Sequence, residues 1–181
     1  KELRAQFERF ASTGLPLSHV DGHLHMHLHP TVLELILPLA REFGAKGFRL
    51  PRDDLARALR YCRRQAPAKM GRWLAMSVLS ARAVSKLQQS RLKFAGCAFG
   101  LVQSGHMHEE YVMRMLASMS AGSAEFFFHP TDGLRLEPLG PNPEDLKTLL
   151  SPRIRQFIDS HGCALTSYPL LNSLAERSEE R

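Results

Sequence analysis

Residues 18–30 read S-H-V-D-G-H-L-H-M-H-L-H-P. Five of the nine histidines fall there, at positions 19, 23, 25, 27 and 29, and Asp21 shares their odd numbering. On an extended chain, residues two apart share a face. His19, Asp21 and His23 then point one way, Val20 points the other, and Gly22 carries no side chain. Neutral imidazole is the commonest metal ligand, and a neighbouring carboxylate fixes its tautomer or joins the shell. The pattern predicts a site for a divalent ion, with His25 and His27 as accessory groups. One strand can aim only two or three side chains at a point, so other strands must supply partners. The plainer alternative is structural histidine, which suits a lone imidazole better than five in strict alternation around a carboxylate. A tag would be contiguous and terminal, whereas this stretch is interleaved with apolar residues.

Three further groups have chemistry. His129 follows Phe126-Phe127-Phe128 and precedes Pro130. It stands where a buried strand exits, a fitting place for a general acid or base; a histidine that only caps a loop is the alternative. Arg49 and Arg52 flank Leu50-Pro51 at another strand exit. Arginine forks bind carboxylate, phosphate or sugar oxygens, or pair with an acid such as Asp53 or Asp54. His106 and His108 lie in the glycine-containing stretch after a third strand. His161, beside Gly162, reads as a helix C-terminal residue favoured by the dipole.

The elements that position these groups alternate. Helical spacing covers residues 1–14, 30–43, 53–64, 70–89 and 109–119, with Pro38 inside the second and Pro67 separating the third from the fourth. Strand patterns cover residues 17–23, 46–50, 94–102, 123–128 and 163–167. Asn142-Pro143-Glu144-Asp145 and Ser151-Pro152 are helix starts, each a cap followed by proline at the first position. About five strands alternating with helices predict an α/β fold with a mostly parallel sheet. Right-handed crossovers bring the strand exits to one edge, where such folds bind ligands. A closed eight-stranded barrel takes about 250 residues. The 181 residues here fit a partial, irregular (β/α) barrel over residues 1–172 whose first strands are missing, followed by a polar tail at 173–181.

The composition is that of a globular chain, 44% hydrophobic and 23% charged, with a net charge of +6. Residues 52–93 hold eleven Lys/Arg against two Asp/Glu. A basic segment suits phosphates, nucleic acid or an anionic membrane, although most charge runs are solvated helix faces. The few aromatics there, Tyr61 and Trp73, form no stacking pattern, so no nucleic-acid partner is expected. Arg72, Arg82 and Lys86 beside Trp73, Leu74 and Val78 allow peripheral membrane contact, with a plain core helix as the alternative. Cys62, Cys97 and Cys163 lie far apart, and no secretory signal or membrane-length apolar run is present, so a reducing, cytoplasmic location is expected.

H-V-D-G-H-L-H-M-H at 19–27, F-R-L-P-R at 48–52 and F-H-P at 128–130 together resemble the YdjC-like carbohydrate deacetylase family. G-L-V-Q-S-G-H-M at 100–107 resembles its hopanoid-biosynthesis-associated branch more than its chitooligosaccharide branch. The resemblance implies a hydrolase that removes acetyl from an N-acetylated amino sugar. It implies one divalent ion, magnesium or alternatively zinc, with His23 as a ligand and Asp21 and His19 in support. It also gives His129 and Asp21 catalytic parts and turns Arg49 and Arg52 toward substrate. The family's opening N-A-D-D-F-G strand and its G-x-H strand, which bring the other ligands and the base, are absent from this sequence. The chain alone is therefore expected to be inactive, and a non-catalytic metal-binding or self-associating module is the alternative.

Overall fold

The computed structural model describes residues 1–119, 122–134 and 140–171; the expected polar tail at 173–181 lies outside them. In chain order the elements are α1 (Glu2–Ala11), β1 (His19–Val20), a 3-10 segment (His23–Leu28), α2 (Pro30–Glu42), β2 (Gly47–Phe48), α3 (Leu55–Tyr61) and α4 (Ala66–Gln89). Then come β3 (Cys97–Phe99), α5 (Glu109–Ala117), β4 (Ala124–Phe126), α6 (Pro143–Leu149), α7 (Pro152–Ser160) and a 3-10 turn (Tyr168–Leu170). They form two compact units. The first holds Lys1–Pro51, Ala75–Ala95 and the segment from Thr166; the second holds Arg52–Leu74 and Gly96–Leu165.

In the first unit β1 and β2 pair in parallel, His19 opposite Gly47 and Val20 opposite Phe48. Lys93 extends the sheet beyond β2: Phe48 N–H donates to its carbonyl at 2.8 Å, and its own N–H donates to Lys46 at 3.0 Å. Val20 and Phe48 turn into a core with Leu28, Leu33, Ile36, Leu37, Ala40, Ala83 and Leu87. α2 forms because Leu33, Ile36, Leu37 and Ala40 recur at helical spacing and Pro30 opens the helix where its missing N–H costs nothing. Gly44 at φ +75° ends it, and Ala45 N–H returns to the Ala40 carbonyl at 2.8 Å.

In the second unit β3 and β4 pair in parallel, Cys97 with Ala124 through Phe99 with Phe126. Phe99, Val102, Met107, Tyr111, Val112 and Met115 fill its core. Asn142 and Ser151 cap α6 and α7, their side chains accepting from Glu144 N–H and Ile154 N–H.

The fold is α/β with short parallel strands. Among the described residues these form two two-stranded sheets and no closed barrel. Residues 163–167 form no strand; most of them are exposed and gain nothing from sheet burial. The strand expected over 17–23 stops at Val20, because the chain turns at Gly22. Pro67 does not separate two helices: it sits in the first turn of α4, where an N–H has no intrahelical partner anyway.

Candidate functional site

The histidine segment is shaped by a turn. After Gly22 the backbone enters a 3-10 segment in which Leu24 (φ 50°, ψ 27°) and His25 (φ 58°, ψ 25°) are left-handed. Non-glycine residues there each cost on the order of 1–2 kcal/mol, and such strain gathers at functional sites. The turn breaks the two-residue alternation. It brings His25 and His27 to Asp21, with one ligating atom of each within 4.8 Å of the others. His23 is exposed and outside this trio.

His27 is 2% exposed. Its Nε2 lies 2.9 Å from the Arg49 carbonyl, an acceptor only, so Nε2 carries the proton and Nδ1 keeps a lone pair. Nδ1 is buried, has no hydrogen-bond partner among the described residues and stands 3.7 Å from Asp21 Oδ1. Burial pushes the His27 pKa down, against the pull of the Arg49 carbonyl and of Asp21, so the ring is held neutral. Phe48 packs on it with ring centroids 5.0 Å apart. A Cβ on Gly22 would lie 3.1 Å from both Nδ1 and the backbone nitrogen of His27, so the bare glycine lets the ring in. Asp21 turns its other oxygen, Oδ2, to an ion pair with Arg49.

Two imidazole nitrogens and a carboxylate oxygen are a donor set for zinc and similar divalent ions; magnesium prefers oxygen shells. The Nδ1 of His27, primed by a carbonyl on its far nitrogen and left buried without a partner, is the observation that fits such an ion.

His19 is not in the trio. Its ring stacks on Tyr168, centroids 4.6 Å apart and planes 25° apart. Tyr168 also covers Gly47, where a Cβ would fall 2.2 Å from the ring. Arg49 pairs with Asp21 rather than with Asp53 or Asp54; Arg52 belongs to the second unit, is exposed, and accepts Ala98 N–H on its carbonyl at 3.2 Å. His129, also in the second unit, follows β4. Its N–H donates to Asp145 Oδ2 at 3.0 Å, its carbonyl accepts Asn142 N–H at 2.7 Å, and its Nδ1 is buried with no hydrogen-bond partner among the described residues. His106 and His108 lie with ring centroids 5.9 Å apart on the loop after β3. His161 caps its own helix, Nδ1 3.0 Å from the Phe157 carbonyl and its ring stacked on Phe157. Sequence reasoning missed Tyr168 and Asp145; for Tyr168 the available signal was a bare glycine inside a strand.

The profile of the YdjC-like protein family matches residues 1–160. A carbohydrate deacetylase of Brevibacillus brevis is 51% identical over 43 residues, 24% of this chain and 17% of that protein. A carbohydrate deacetylase of Mus musculus is 29% identical over 198 aligned positions, 96% of this chain and 62% of its own length. A chitooligosaccharide deacetylase of Yersinia pestis is 44% identical over 43 residues, 23% of this chain and 17% of that protein. The chain thus spans less than two thirds of the length of these relatives. No solved structure matches it. The family match covers residues 1–160, through the histidine turn, both parallel pairs and α7, and the chain accordingly belongs to the YdjC-like protein family.

Proposed function

We propose that this chain is part of a carbohydrate N-deacetylase, that Asp21, His25 and His27 hold a divalent ion, and that His129 has the part of general acid that the family resemblance gives it. The names of its relatives support the activity. The neutral, unpartnered Nδ1 of His27 facing Asp21 is the observation that carries the metal assignment. The substrate is an N-acetylated amino sugar, free or on a glycosylated hopanoid, and the fold is part of a (β/α) barrel. When bound, the ion supplies Lewis acidity to an acetamide carbonyl and to water. His27 would offer its Nδ1 lone pair to such an ion, its Nε2–H donating to the Arg49 carbonyl. Asp21 would hold the ion through one oxygen, its other oxygen being paired with Arg49. Arg49 and Arg52 offer guanidinium donors to sugar and acetamide oxygens. His129, protonated, gives its proton to the leaving amine as the C–N bond breaks; water supplies the oxygen of acetate, and its proton passes to the base that the resemblance assigns to the family's opening strand.

The test is zinc and manganese affinity by titration calorimetry. His27→Ala is expected to weaken binding at least about 100-fold, whereas His23→Ala leaves it within a few-fold. The reverse ranking would make His23 the ligand and overturn the trio. In the full-length protein His129→Ala is expected to keep the metal and lose about 10²–10⁴ in kcat. A non-catalytic metal-binding module is the second reading, favoured by a trio lying wholly within one unit. Metal binding with no deacetylation by the full-length protein would select it.

A further inference from the structure

We infer that Asp145 is the positioning residue of His129, an inference that rests on His129 being the acid. Asp145 is fully buried, and both of its oxygens are used outside its own helix. Oδ2 accepts the His129 N–H after β4 at 3.0 Å, and Oδ1 accepts the Met107 N–H after β3 at 3.1 Å. α6 does not need this carboxylate for its N-terminus, since Asn142 Oδ1 already accepts Glu144 N–H at 2.9 Å. Asn142 completes the grip: its N–H donates to the His129 carbonyl, and its side-chain amide donates to Gly105. Both main-chain polar groups of His129 are therefore held by the first turn of α6.

Among the described residues the ring has no such hold of its own. Its Nδ1 is buried without a hydrogen-bond partner among them, and Phe127 lies edge-on with centroids 6.3 Å apart. Where the imidazole points thus depends on where its backbone is pinned. A carboxylate is costly to bury, and it is retained where backbone N–H groups fill its oxygens. Here those N–H groups belong to two strand exits, so one side chain fixes both.

The experiment is a double-mutant cycle in the full-length protein, with a chitooligosaccharide as substrate. Asp145→Asn keeps one acceptor and sets an NH2 against the other N–H. It is expected to lower kcat about 10- to 100-fold with KM within about twofold. In the His129→Ala background it should cost less than about twofold. Equal losses in both backgrounds would show a merely structural role and overturn the inference. In this chain the Met107 and His129 amides should exchange at least about tenfold faster in Asp145→Asn; unchanged exchange at both would also overturn it. If His129→Ala keeps full kcat, the acid reading falls and the inference with it. The amide exchange then still reports whether the clamp exists, so the two failures are told apart. Should Asp145→Asn fail to fold by circular dichroism, Asp145→Glu keeps both oxygens, moves them by one methylene, and must show the same kcat loss at constant KM.

Discussion

Gly22 is where a single hydrogen atom decides how closely His27 approaches Asp21 and His25. Its φ of −150° suits any residue, so only space is at issue. A methyl there meets the ring nitrogen, the backbone nitrogen and Cβ of His27 at 3.1–3.2 Å. Gly22→Ala is expected to fold normally and to weaken zinc affinity about tenfold, because it shifts a ligand without removing one. Unchanged affinity by calorimetry would contradict this. The sequence already showed that imidazoles and a carboxylate gather at residues 19–27. It did not show which ones meet, because period-two reasoning holds only while the chain stays extended. Left-handed Leu24 carries no sequence signal and His25 only a weak one, since histidine enters that region more often than most residues but still uncommonly. Asp145 was legible only as an acid in the first turn of a helix; its service to two distant loops is a tertiary fact.

At the scale of elements, the turn after β3 is fastened by charged side chains from residues 53–72. Asp53 Oδ2 accepts Gly100 N–H at 3.2 Å and Val102 N–H at 2.9 Å. Arg72 donates to the Leu101 carbonyl at 3.1 Å, and buried Lys69 donates to Gln103 Oε1 at 2.8 Å. Burial raises the Asp53 pKa more than the backbone N–H groups of Val102, Gly100, Asp54 and Leu101 lower it. The folded chain therefore holds this proton more tightly than the unfolded chain. The stability so gained is present at low pH and lost as pH rises through the folded value. Asp53→Asn keeps an acceptor for both N–H groups and carries no charge. It is expected to melt higher than the parent at pH 7, with the gap closing as pH falls into the carboxylate range. Asp53→Ala leaves two buried donors unmatched and should lose about 1–3 kcal/mol. An Asp53→Asn chain that melts lower at pH 7 would refute the account. Helix starts were legible at this scale, because Asn142-Pro143 and Ser151-Pro152 combine a cap with a proline. Strand lengths were not: the apolar run at 94–102 shows burial without showing that only Cys97–Phe99 pair.

For the whole molecule, the +6 charge is partly internal. Of the eleven cations in residues 52–93, Lys69 and Arg72 bind main-chain carbonyls, Arg57 pairs with Asp54, Lys86 with Glu34, and Lys93 binds the Pro169 carbonyl. Arg52, Arg60, Arg63, Arg64, Arg82 and Arg91 remain exposed. Binding to single-stranded DNA is therefore expected to be independent of sequence. It should fall about twentyfold between roughly 50 and roughly 200 mM salt, as for about three phosphate contacts. Salt-resistant binding to one sequence would point instead to a dedicated nucleic-acid surface. No helix among the described residues is long and apolar enough to cross a membrane. The α/β class was legible because apolar runs alternate with amphipathic ones; the division into two units was not, because each is assembled from separated stretches. Tyr168 closes over His19 and Gly47, laid down some 120 positions and more before it. During translation those residues must wait, without their aromatic cover, until Tyr168 has left the ribosome. A message cut short before the Tyr168 codon would release a product whose first parallel pair never receives its lid.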